Sequence, residues 1–160
     1  PKAAPVRVHL YYGLRNLEDL PYPDRLKILT RRNDFELTLT LSTPLKPAHQ
    51  NKYPEFAKHA ARKAFDTRDK CKPRHFLAQL ISESRKLYTQ HIVGLDLTCD
   101  DGYLRRSGVT TANSLFVICG QNRLLRDGET MLGIFAKEMA ENSESSTSSD
   151  LLQTRLFTNI

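Results

Sequence analysis

The stretch VRVHLYYG, residues 6–13, decides how the chain is read. It is rich in β-branched and aromatic residues and closes on a glycine. Its near-continuous apolar character suits a strand buried on both faces, as in a parallel sheet. After LRNLEDL, Pro23 stands where a first helical turn accepts proline. Tyr22, Leu26 and Leu29 follow at helical spacing, up to the basic pair Arg31 and Arg32. FELTLTLS, residues 35–42, then alternates apolar with polar or threonine positions and reads as a second strand.

Downstream, SLFVICG, residues 114–120, is a short apolar run ending in glycine, a buried strand by length and composition. The helix expected after it carries Leu124, Met131, Phe135 and Met139 on one face, with Asn122 placed to cap. Strands alternating with helices imply a parallel sheet, because parallel neighbours need crossover connections. Between these blocks the rhythm breaks. PLKPAHQNKYP is turn-rich and expected to be exposed, EFAKHAARKAF places Phe56, Ala60, Ala64 and Phe65 on one helical stripe, and a weak helix is expected over residues 75–81. Residues 44–85 therefore read as an insertion within an α/β domain spanning 1–141. A polar linker, NSESSTSSD, covers 142–150, and 151–160 form a tail that is either a short helix or extended.

The 160 residues, 39% of them hydrophobic, fit one domain with a real core. No run approaches the roughly 20 apolar residues of a membrane span, and residues 1–10 lack the apolar region of a secretory signal, so the expectation is a cytoplasmic chain. Cys71, Cys99 and Cys119 show no zinc-type spacing with the histidines, and reduced thiols are expected. The net charge of +6 is uneven. Residues 44–86 hold eleven Lys or Arg against four Asp or Glu, whereas the rest of the chain has thirteen against fourteen. Such a cluster attracts anions or an acidic protein face, or is simply a solvated basic surface. No nucleic-acid motif or ordered stacking platform accompanies it.

Ligands of parallel α/β sheets bind beyond the carboxyl ends of the strands, here residues 13–15, 42–43 and 119–121. SESRKLYTQHIV, residues 82–93, adds a fourth contributor. If Lys86 to Gln90 is extended, then Lys86, Tyr88 and Gln90 share one face. A cation there attracts phosphate, hydroxyl and guanidinium groups donate to its oxygens, and a phenol ring stacks on a base. The same pattern also fits an amphipathic helix start with a core tyrosine.

VHLYYGLRNLEDL, KLYTQHIV and LFVICGQNRLLRDG, in this order, resemble the NADPH-binding lobe of the diflavin reductases, and the tail LLQTRLFTN is similar to the branch acting in cytosolic iron–sulfur assembly. The resemblance implies a three-layer parallel sheet of the ferredoxin-reductase NADP-binding type, partial at the N-terminus and carrying the basic insertion. The chain would then be the C-terminal piece of a larger reductase. That enzyme passes a hydride from NADPH to FAD, then electrons through FMN to an electron-acceptor protein, with both flavins held mostly by upstream domains. Carried over by position, Arg15 contacts the cofactor phosphates. Ser42, or the pair Ser84 and Arg85, holds the ribose phosphate. Lys86, Tyr88 and Gln90 take the phosphate and adenine side, and Cys119 with Gly120 lines the hydride-transfer pocket. Gln121 stands where the family commonly has an acidic residue. A different class of reading makes the chain a non-catalytic module that docks an acidic partner through residues 44–85.

Overall fold

The computed structural model describes residues 5–60, 88–99, 102–110, 113–142 and 154–158. Strand β1, Val8–Leu14, pairs in parallel with β2, Phe35–Leu41, so that Leu10 lies opposite Leu37 and Gly13 opposite Thr40. Between them run a single 3₁₀ turn at Leu17–Asp19 and helix α1, Pro23–Leu29. Asn16 caps the 3₁₀ turn by accepting from the Glu18 backbone N–H at 2.8 Å. Pro23 occupies the first turn of α1, where the missing N–H costs nothing.

Alternation along the two strands sorts their side chains. Leu10, Tyr12 and Leu14 on β1 and Leu37, Leu39 and Leu41 on β2 face one cluster, completed by Leu17, Leu20, Leu26 and Phe56. The opposite face carries His9, Tyr11, Thr38 and Thr40 and meets helices α4, Thr89–Thr98, and α5, Tyr103–Arg106. Helix α4 is buried on most sides, at Ile92, Leu95 and Leu97 and also at Gln90 and His91. That agrees with its lack of a polar face.

PLKPAHQNKYP is exposed or half-buried throughout, as expected, though part of it coils into helix α2, Pro47–Lys52, and the stretch expected to be helical opens on helix α3, Pro54–Ala57; each helix opens on proline. Phe56 is 2% exposed and belongs to the first core cluster. The Leu39 N–H donates to His59 O at 2.8 Å, so the chain after α3 covers the outer edge of β2.

Strand β3, Phe116–Gly120, pairs in parallel with β4, Thr154–Thr158, so the tail takes the extended alternative and joins a sheet. Helix α6, Asn122–Asn142, follows β3 directly and starts at the expected cap residue itself. Its buried Leu125, Met131, Leu132 and Phe135 repeat at helical spacing. With Leu97 and Leu104, Met131, Leu132 and Phe135 build a second cluster, against which Tyr11, Phe116 and Ile118 pack. At Gly128 the helix approaches β3 so closely that a Cβ would lie 2.8 Å from Ile118 Cδ1.

The protein is thus mixed α/β with parallel strand pairs. Three expectations are corrected. β3 is not buried on both faces, because Val117 is 58% exposed, whereas β1 is covered on both and exposes among its large side chains only its first, Val8, at 49%. Lys86 to Gln90 is not one extended run, because α4 begins at Thr89. Cys99, expected as a reduced thiol, is buried and disulfide-bonded. Among the described residues no helix is long and apolar enough to cross a membrane. The helix expected over 75–81, the Ala64 and Phe65 end of the stripe and the linker beyond Asn142 lie outside the described residues.

Candidate functional site

The carboxyl ends of β1 and β2 are laced together. The Ser42 N–H donates to Leu14 O at 2.9 Å, and Thr43 donates to Arg15 O through both its N–H, at 3.1 Å, and its hydroxyl, at 2.5 Å. This holds Arg15 and Ser42 side by side, with the Arg15 side chain exposed and Ser42 half-buried.

Helix α4 delivers its first turn to the same place. Thr89 and Thr40 share a hydroxyl hydrogen bond of 2.6 Å. Gly13 is needed there, because a Cβ would strike the Thr89 hydroxyl. Tyr88, just before the helix, is extended at φ −102° and 37% exposed, and its N–H donates to His91 Nδ1 at 3.2 Å. Its ring is therefore not a core ring.

The start of α6 converges on this corner as well. The Arg123 guanidinium lies 5.9 Å from the centre of the Tyr88 ring and 3.7 Å from Asp127 across one helical turn. Gln90 is buried and donates to Asp127 at 3.3 Å, which spends its amide on tying α4 to α6. Asp127, itself buried, is also approached by Arg126 at 3.9 Å. Two arginines and one amide around one carboxylate satisfy the desolvation cost that burial imposes on it.

Cys119 and Gly120 end β3 just before α6. Cys119 is exposed, and a Cβ at Gly120 would sit 2.5 Å from Leu124 Cδ2. A cavity of about 260 Å³ connects Cys119 with Thr89, Gln90 and the His9–Tyr11 side of β1. Its polar wall is ordered. The His9 and Tyr11 rings stack at 4.1 Å, His9 Nε2 shares a 2.8 Å bond with the Thr38 hydroxyl, and the Tyr11 hydroxyl donates to Asp96 at 2.6 Å. Burial pushes the His9 pKa down to about 4, opposed by the nearby Glu36 charge. Burial, then the Asp96 carboxylate, holds the Tyr11 phenol well above the usual range. His9 is consequently a neutral, packed ring at physiological pH.

Of the residues singled out in the sequence, the structure gathers Arg15, Ser42, Tyr88, Gln90, Cys119 and Gly120 around the carboxyl ends of the strands, with Gln90 facing inward. Ser84, Arg85 and Lys86 lie outside the described residues. Sequence reading missed Thr89, Arg123 and Asp127. The Arg123 and Asp127 pair at i and i+4 was a legible signal once α6 had been placed, whereas nothing in the chain marks Thr89 as the contact of Gly13. Among the described residues no group of three metal-ligating side chains occurs. No family model, curated protein or solved structure matches the chain.

Proposed function

We propose that this chain is the NADPH-binding portion of a diflavin reductase, cytoplasmic and serving cytosolic iron–sulfur assembly, in which hydride passes from NADPH to FAD and electrons pass through FMN to a protein acceptor. The observation that carries the reading is the meeting of three strand ends with the first turn of α4 beside an accessible phenol. Open parallel sheets hold nucleotides at such a place. The finer architecture that goes with it is a parallel three-layer sheet of the ferredoxin-reductase type.

The described residues fit the nucleotide. Arg15 offers an exposed guanidinium and Ser42 a hydroxyl for phosphate oxygens. Tyr88, with Arg123 already against its ring, presents an aromatic surface for the adenine. Gln90 acts indirectly, because its bond to Asp127 holds Arg123 and Tyr88 in register. Cys119 places a thiol at the mouth of the cavity, beside the nicotinamide end. NADPH, when bound, supplies the hydride, and the protein supplies its orientation.

Calorimetric titration of the chain with NADPH and with NADH tests the proposal. Tyr88→Ala removes base stacking of about 1–3 kcal/mol and weakens both nucleotides. Lys86→Ala weakens NADPH more than NADH, since the extra phosphate is the difference between the two, whereas Arg15→Ala, at the phosphates they share, weakens both. Absence of binding to either nucleotide in the unmodified chain, or equal losses for both in the Lys86 variant, overturns the assignment.

A further inference from the structure

Arg7 stands just ahead of β1, and Arg31 to Asp34 lie in the turn between α1 and β2. The Val8 N–H donates to Asp34 O at 2.8 Å, which fixes the two segments side by side. Between them opens a concavity of about 580 Å³, lined by three arginines, Arg7, Arg31 and Arg32, by Asn33 and, among the described residues, by one carboxylate, Asp34. It lies at the amino-terminal ends of the strands, about 25 Å along β1 from Arg15.

The charges there do not cancel. Arg32 is spent on Asp34, which it grips through Nε at 2.8 Å and through Nη2 at 2.6 Å, so that pair is close to neutral. Arg7, Arg31 and Asn33 are exposed, and among the described residues their side chains make no hydrogen bond or ion pair. The Glu36 carboxylate acts with Arg7 on the Tyr103 hydroxyl but does not line the concavity. Two positive charges are therefore left around one open space. Basic residues complement the carbonyl end of a helix, which accounts for Arg31 and Arg32 behind α1. It does not account for Arg7, which arrives from another segment.

We infer that this concavity is an anion site, separate from the strand ends described above, and that it takes the phosphate group of a small phosphate monoester. Such a group carries close to two negative charges at neutral pH, matching the two guanidinium groups that Asp34 leaves uncompensated. The planar fork of each arginine presents paired N–H donors to phosphate oxygens, and Asn33 adds an amide donor. The open side leaves room for the group that carries the phosphate. This inference does not depend on the nucleotide reading, since Arg15, Ser42 and Tyr88 take no part in it.

Titration of the full chain with inorganic phosphate, followed by the backbone amide resonances of residues 7–8 and 31–34, tests it, with ionic strength held constant to remove general screening. These resonances are expected to shift together and to saturate at millimolar phosphate. Arg7→Gln and Arg31→Gln each weaken binding about tenfold, the scale of one hydrogen bond between charged groups. Asp34→Asn strengthens it, because the competing carboxylate is gone and Arg32 is released. Arg25→Gln removes the same charge from the exposed side of α1 and leaves the affinity unchanged. Shifts that never saturate, an equal loss in Arg25→Gln, no loss in the Arg7 or Arg31 variant, weaker binding in Asp34→Asn, or equally tight binding of succinate, a dicarboxylate of like charge, overturns the inference.

Discussion

Tyr22 adopts φ 50° directly before Pro23, a left-handed conformation that side chains with a Cβ resist. It is exposed and gains only the Arg25 guanidinium 5.6 Å from its ring. Tyr22→Gly relieves this strain and is expected to raise stability by about 1 kcal/mol in urea unfolding. His9 makes a pH-dependent contribution. Its native pKa is lowered from 6.5 to about 4, so below pH 6.5 the unfolded chain takes up a proton that the native chain refuses. Stability from this group is fully present above pH 6.5 and is lost as the pH falls towards 4. Urea midpoints at pH 7 and pH 4.5 are expected to differ more for the native chain than for His9→Gln, where this share of the pH dependence vanishes.

At the scale of elements, the packing of α3 and the α4–α5 turn decides how much structure each connection contributes. Phe56 is the largest side chain sealed into the first cluster. Phe56→Ala is expected to cost about 3–5 kcal/mol, the range for truncating a buried aromatic, as read by the thermal midpoint or by denaturant. The substitution also tests whether residues 44–60 belong to the folding unit, since truncation in a detached insertion would leave global stability unchanged. Gly102 precedes α5 where the chain passes the end of α4. A Cβ there would lie 2.8 Å from both Leu95 O and the Asp96 carbonyl carbon, which are backbone atoms unable to rotate away. Gly102→Ala is therefore expected to destabilise by about 1–3 kcal/mol through overpacking. It should also loosen the Asp96 clasp on the Tyr11 hydroxyl, visible as a change in tyrosine fluorescence.

Across the whole molecule, the two strand pairs are joined through helices rather than through a shared sheet. α4 lies against β1 and α6, and α6 lies against β3, so the site at the strand ends depends on bonds such as Gln90 to Asp127. Gln90→Leu leaves Asp127 buried with less compensation and is expected to lower stability by about 1–3 kcal/mol. On the proposed nucleotide reading, affinity for NADPH is expected to fall as well, through displacement of Tyr88 and Arg123. Gln90→Glu, which sets a second carboxylate beside the first, should be worse at neutral pH than at pH 5.

Much of the element order was readable in the chain, for local reasons. Pro23, the Leu26 spacing and the Phe35–Leu41 alternation act within a few residues of themselves, and α1 and β2 appear close to where those signals place them. KLYTQHIV was ambiguous between strand and helix because its short apolar pattern satisfies both periods. What resolved it was the hydroxyl pair of Thr40 and Thr89, 49 positions apart. The open face of β3, the inward turn of Gln90 and the burial of Phe56 were likewise set by distant partners, as was the cover on the second face of β1, where Tyr11 meets Asp96 across 85 positions. The sequence by itself determined β1, α1, β2, β3 and α6 as strand or helix, because propensity and periodicity are properties of neighbouring residues. Only the tertiary structure decided which edges are paired and which polar groups are spent on one another, because those outcomes are settled by contacts between segments that no local pattern encodes.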